Sequence, residues 1–154
     1  MANSQYLIPR VETVKPVAKA PATLLISFAG GEKGRVDLTS LLQGKRALAA
    51  LRNPVYFRHA KPADHGYGIA WDNGIEIGAD TLYWLYRRQN GLWDSADEMH
   101  VWRVTNGLTL EAAAEEIGVS RRMLSYYEGR KWPVPKTVAL AVAGWQARQA
   151  KLAT

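Results

Sequence analysis

The sequence predicts an α+β protein: a small antiparallel sheet with short helices, followed by an all-α bundle. Three observations support this. Thr23 to Phe28 alternates apolar and polar residues ahead of Gly30-Gly31, which gives a half-buried strand running into a turn. Asp72-Asn73-Gly74 separates two short apolar runs, and Asn-Gly is a strong hairpin signal because both central residues of the favoured turn need positive φ. From Leu110 the periodicity becomes helical and is broken by Gly118-Val119-Ser120 at the spacing of a helix-turn-helix. Asn90-Gly91 interrupts the pattern between the two regions, placing one domain at 1–89 and a second at 95–154.

Composition sets broad bounds. The chain has 154 residues, 47% of them hydrophobic, which suits a folded protein with room for two small domains. No apolar run approaches the roughly 20 residues of a membrane-spanning helix. Met1 to Arg10 has no charged lead followed by a long apolar core, so a secretory signal is not expected and a cytoplasmic location is. Without cysteine there are no disulfides, thiol nucleophiles or thiolate zinc sites. The charge is concentrated. From Gly118 onward seven Lys or Arg face one acidic residue, Glu128, a balance of +6 that equals the net charge of the whole chain. A basic face confined to that region is what attraction to a phosphate backbone requires, although a solvated surface looks the same.

In chain order, Leu24, Ile26 and Phe28 share one strand face, and Arg35 to Leu38 gives the return strand of a hairpin. Leu38 to Leu51 reads as two helical pieces around Gly44. Phe57 to Lys61, Gly68 to Trp71 and Ile75 to Ile77 are strand candidates, and Asp80 is placed to cap a helix from Thr81 to about Arg88. In the second domain, Ser95 with Glu98 reads as a capping box, starting a helix that runs to about Asn106 and exits through Gly107. Thr109 caps the next helix, in which Ala113, Ala114 and Ile117 share one side. Gly118 supplies the turn, Val119 plugs the core and Ser120 caps the third helix. Leu124 and Tyr127 form its buried face, which leaves Arg121, Arg122, Ser125 and Tyr126 outward. Pro135 opens a last helix whose Val138, Leu140, Ala141, Val142 and Trp145 are apolar over more than one face, with surplus surface for a partner.

Small Ala114, Ile117, Gly118, Val119, Leu124 and Tyr127, followed by Glu128-Gly129-Arg130, agree at once with a known pattern. Over its C-terminal third the chain resembles the phage-repressor-like (XRE-type) helix-turn-helix family of bacterial transcription regulators. The resemblance implies that Arg121, Arg122, Ser125 and Tyr126 reach base edges in the major groove of double-stranded DNA, with arginine suited to guanine O6 and N7. It implies phosphate contacts from Ser120 with its helix N-terminus and from Arg130 and Lys131. It also pairs Arg103 with Glu128 in a salt bridge worth about 1 kcal/mol if exposed. Tyr126 is less common than Gln, Arg or Asn at a base-reading position, and Trp132-Pro133-Val134-Pro135 is stiffer than the usual loop. Regulators of this kind resemble dimers reading two half-sites, so a homodimer is expected.

The first half resembles a bacterial domain of unknown function, family 2442. The shared residues are Leu24-x-Ile26-x-Phe28, Gly31-Glu32, Val36-Asp37-Leu38, Asn53-Pro54 with Phe57, Ile69-x-Trp71-x-Asn73-Gly74, Glu76-Ile77 and Leu82-Tyr83. They mark turns and core rather than chemistry. Members resemble components of toxin–antitoxin-like gene pairs, which implies a toxin-like protein partner for this domain.

An enzyme is a third possibility for the first domain. Asp72, Glu76 and Asp80 recur every four residues, with His59 and His65 nearby. A turn, a strand edge and a cap account for the three carboxylates better than a metal site does. Gly30-Gly31 is a hairpin turn and not a phosphate cradle, and no Ser/His/Asp spacing is compelling. No cofactor, metal or catalysis is therefore expected. Trp93 or Trp102 exposed on a surface would suit stacking on single-stranded bases, but tryptophan in a small domain is more often core. The leading expectation is a sequence-specific DNA-binding regulator. The alternative is an antitoxin-like interaction module that autoregulates its own operon.

Overall fold

A computed structural model describes residues 9–153. Of the stretch read against a secretory signal, only Pro9 and Arg10 lie within the described residues. The contacts divide the chain into two compact units, one spanning Ile8–Leu92 and the other running from Trp93 onward. Among the described residues no helix is long and apolar enough to cross a membrane.

The first unit is α+β. Strands β1 (Val11–Pro16), β2 (Thr23–Phe28) and β3 (Lys33–Asp37) form an antiparallel sheet in that order. Helix α1 (Thr39–Gly44), a 3₁₀ segment (Arg46–Arg52) and the single turn α2 (Pro54–Phe57) lead to a second antiparallel sheet of β4 (Lys61–Pro62), β5 (Gly68–Ala70) and β6 (Glu76–Gly78). Helix α3 (Ala79–Gln89) closes the unit. Leu24, Ile26, Phe28, Val36, Ile69 and Leu82 make one continuous core, where Phe28 meets Tyr83 and Tyr86 at ring separations of 5.2 and 5.4 Å. The outer edge of β3 is covered by side-chain amides. Gln89 accepts from Asp37 N at 2.7 Å and donates to Asp37 O at 2.9 Å, and Asn90 donates to Arg35 O. Two amides thus replace the missing strand, which blunts an edge open to unwanted pairing.

Several expectations need correction. Strand β1 was not anticipated, because an irregularity between Val11 and Thr13 shifts its register and breaks the period of two. Buried Val11 and half-buried Val14 therefore stand three residues apart. The segment beginning at Phe57 is not a strand. Asn53 accepts from Val55 N at 3.0 Å and Pro54 starts α2, so Phe57 is its buried last residue and pairing is confined to Lys61–Pro62. Asp80 does not cap α3. The helix starts two residues earlier, behind Gly78, because buried Ala79 is anchored by donating to Tyr67 O at 2.8 Å; Asp80 lies within the first turn. The hairpin at Asp72-Asn73-Gly74 forms, with Trp71 N donating to Ile75 O, but not through the expected turn: Gly74 takes positive φ (+86°) and Asn73 does not, and Gly74 N returns to Trp71 O at 3.1 Å.

The second unit packs α4 (Ser95–Thr105), α5 (Leu110–Ile117), α6 (Arg121–Glu128) and α7 (Lys136–Leu152) around Met99, Trp102, Leu124, Tyr127, Val138 and Val142. Ala113 and Ala114 are buried at the centre, where small side chains allow close helix approach. Trp102 is a core residue, edge-on to Trp145 at 5.4 Å, and Trp93 is half-buried with its indole N–H on Glu98. Buried Trp102 offers no free stacking face. The capping box of α4 is one residue earlier than expected: Asp94 accepts from Asp97 N and Asp97 accepts from Asp94 N, both at 3.0 Å. Aspartate caps as well as serine does, and the Glu98 carboxylate serves the Trp93 indole instead. Pro135 stands just before α7 rather than within it.

Gly68 and Gly44 give a paired test of the first unit. A Cβ at Gly68 would meet Ile77 O at 2.5 Å, a backbone atom that cannot swing away, whereas a Cβ at Gly44 meets nothing within 4 Å. Gly68→Ala should lower unfolding free energy by about 2 kcal/mol and Gly44→Ala should change it by less than about 0.5 kcal/mol, both measured by urea denaturation.

Candidate nucleic-acid interface

The interface is built from three helix boundaries. Thr109 accepts from Ala112 N at 3.0 Å to start α5. That helix ends at Gly118, whose φ of +76° lets Val119 N return to Ala114 O at 3.0 Å. This reversal needs a left-handed residue, which glycine adopts without a Cβ penalty. Half-buried Val119 packs on the core, and Ser120 accepts from Met123 N at 3.1 Å to start α6. The chain thus leaves α5 and enters α6 within three residues.

On α6, Leu124, Tyr127 and Glu128 are buried, Arg121 and Arg122 are exposed, and Ser125 and Tyr126 are half-buried. The first turn of α6 contains no acidic residue. Lys131 places its ammonium 4.4 Å from the Tyr126 ring centroid and donates its main-chain N–H to Tyr126 O at 2.9 Å. Tyr126 and Lys131 therefore form a single contact group at the end of the exposed face.

Arg130, expected as a phosphate contact, is also engaged within its own unit. Its guanidinium bonds Asp94 at 2.9 Å and lies 3.1 Å from Asp97 Oδ2, so it closes the start of α4 onto the end of α6. Asp97 is fully buried, so removing a cation beside it would weaken the compensation of its charge. Arg130 itself sits at φ +60°, the left-handed position that ends α6, while neighbouring Gly129 does not.

Arg103 and Glu128 do pair, with Nε donating to Oε1 at 2.7 Å, but the setting is not the surface one that was assumed. Glu128 is 2% exposed. His100 Nδ1 lies 3.3 Å from the same oxygen, and Arg103 also donates to Leu108 O at 3.0 Å. Burial works to raise the pKa of this carboxylate. The His100 and Arg103 contacts outweigh it and hold Glu128 below its ordinary value. Nothing in the sequence marked His100, which reaches Glu128 only once α4 and α6 are packed.

Of the residues weighed for metal, Asp72 pairs with Lys61 at 3.1 Å. Asp80 lies in the first turn of α3 and Glu76 on β6. Among the described residues no three His, Asp or Glu side chains converge on a point.

Two measurements follow for the buried pair. Arg103→Met should destabilise the C-terminal unit by about 3 kcal/mol, rather than the 1 kcal/mol of a surface pair. Because the folded pKa of Glu128 is depressed, its stabilisation is complete above the free-glutamate value and is lost as pH falls through the folded value. The unfolding free energy of the native protein should therefore decline below about pH 4.3, and Glu128→Gln should flatten that decline in a pH series of denaturation curves.

Comparison with known proteins fits this division of the chain. Residues 14–87 match the family model described as "Protein of unknown function (DUF2442)". No curated protein matches the sequence. A crystal structure of NE0471, a candidate DNA-binding protein from Nitrosomonas europaea ATCC 19718, is similar at 32% identity and a TM-score of 0.66 over 93% of this chain and 90% of that one. With that identity over nearly the full length of both proteins, the chain belongs to the NE0471 family and carries the DUF2442 domain in its first half.

Proposed function

We propose that the protein is a sequence-specific DNA-binding regulator that reads the major groove with α6. The observation that carries this reading is the pair of exposed arginines in the first turn of that helix. Backbone dipoles make a helix N-terminus electropositive, so two cations in a first turn that contains no acidic residue are unfavourable by a few tenths of a kcal/mol each in isolation. A polyanion laid across the turn reverses that sign. The similarity to NE0471, itself a candidate DNA-binding protein, supports the same reading.

In this proposal Arg121 and Arg122 contact base edges, preferring guanine. Ser125 and Tyr126 contact bases one turn further on. Ser120 with the α6 N-terminus takes one phosphate and Lys131 another. Arg130 is assigned to the internal clamp with Asp94 and Asp97 and leaves the phosphate set. A single α6 presents few base contacts, so a homodimer spanning two half-sites gives a more adequate affinity. Exposed Leu140 on α7 belongs to the surface available to a second copy.

Fluorescence anisotropy with duplex from the protein's own upstream region, against a scrambled duplex at two salt concentrations, tests the reading. Preferential binding that weakens with salt is expected, and Arg121→Ala and Arg122→Ala should each cost about 1–3 kcal/mol for the specific duplex. Equal, purely salt-controlled binding reduces the reading to a basic surface. No binding would move the function to a protein partner such as an antitoxin's toxin.

The two residues after α6 should separate in the same assay. Lys131→Ala should weaken binding to both duplexes similarly and lower the salt slope by about 1. Arg130→Ala should instead lower the melting temperature, because it removes a cation beside buried Asp97.

A further inference from the structure

Pro16, Lys19, Pro21, Pro54, Phe57 and Arg58 line much of a groove of about 540 Å³ in the first unit, between the β1–β2 connection and α2. Its volume falls within the roughly 300–1,000 Å³ of small-molecule sites. The walls are mainly proline, alanine and valine, with buried Phe57 among them. These side chains have little rotamer freedom to lose when a ligand enters. The connection is also held in an unusual shape, with Lys19 at φ +61° and Ala22 at φ +52°, both left-handed without being glycine. Val17 N bonds Thr23 O and Leu38 N bonds Ala22 O, fixing that shape from both sides.

The lining contains two cations, Lys19 and Arg58, and no carboxylate. Neither cation has an ion-pair partner among the described residues. Apolar walls with an unbalanced positive charge complement a molecule that is itself apolar and anionic. Turns and one helical turn form most of the lining, so an extended peptide finds little strand edge to join, and a small ligand fits better. We propose that this groove binds an amphipathic organic carboxylate, its apolar chain or ring against Phe57 and the prolines and its carboxylate on Lys19 and Arg58. The site is independent of the DNA-binding reading and stands or falls separately.

Octanoate is the probe, titrated into the full-length ¹⁵N-labelled protein and followed by amide chemical shifts, with octylammonium and 1-octanol as controls. Saturable shifts confined to residues 16–23 and 54–58 are expected. Octylammonium should bind at least about tenfold more weakly. The Lys19→Gln/Arg58→Gln protein should show the same loss for octanoate, with its other amide shifts unchanged as proof of folding. Equal binding of octylammonium, shifts centred elsewhere, or no saturation by about 10 mM would overturn the proposal. So would an apolar, acidic peptide that binds the groove where octanoate does not, since the occupant would then be a protein.

Discussion

Glu128 ends the helix that carries Arg121 and Arg122, and its carboxylate has almost no access to water. A charge in that position persists only because Arg103 donates to it at 2.7 Å and His100 stands beside it. The same guanidinium reaches Leu108 O in the turn between α4 and α5. One arginine thus joins the end of α4, the α4–α5 turn and the end of α6. Its planar fork makes this possible, whereas a lysine could not span both acceptors with the same geometry. Any presentation of the α6 N-terminus to a ligand depends on that constraint, because the helix is only eight residues long and is not stable alone.

A second clamp acts just beyond the same end of α6. Arg130 closes on Asp94 and buried Asp97, and it does so from a left-handed backbone position usually taken by glycine. The conformational cost, about 1 kcal/mol, is offset by compensating a buried carboxylate. The two clamps use opposite polarity: at Glu128 the acid comes from α6, and at Asp97 it comes from α4. Together they tie the C-terminal end of α6 to two places along α4, one at its start and one near its end.

Elements whose signals are local were legible in the sequence. Thr109, Gly118 and Ser120 each act within four residues of their own position, and the structure places their hydrogen bonds and φ where that chemistry requires. The α+β class and the β2–β3 hairpin follow in the same way, and a hairpin does form at Asn73-Gly74, although only Gly74 takes the positive φ. What escaped reading depended on tertiary contacts or competing local options. The register shift in β1 hides its alternation, and Asn53-Pro54 starts a helix so short that its last residue, Phe57, reads as the start of a strand. Asp94 and Ser95 are both good caps, and local propensity does not choose between them. The basic residues show the same limit at the candidate site. Arg121, Arg122 and Arg130 carry equal charge and are all exposed, and only the fold reveals that Arg130 also bonds Asp94 and Asp97.

The central claim is that α6, held by Arg103 and Glu128, presents its first turn to duplex DNA. Amide chemical-shift mapping of the full-length protein with its upstream duplex tests it most directly. The account predicts that the largest perturbations fall at 118–126 and at Lys131, with Glu128 and Arg103 little changed because the clamp is already formed. Perturbations centred on the first unit, or on α7 alone, would contradict it.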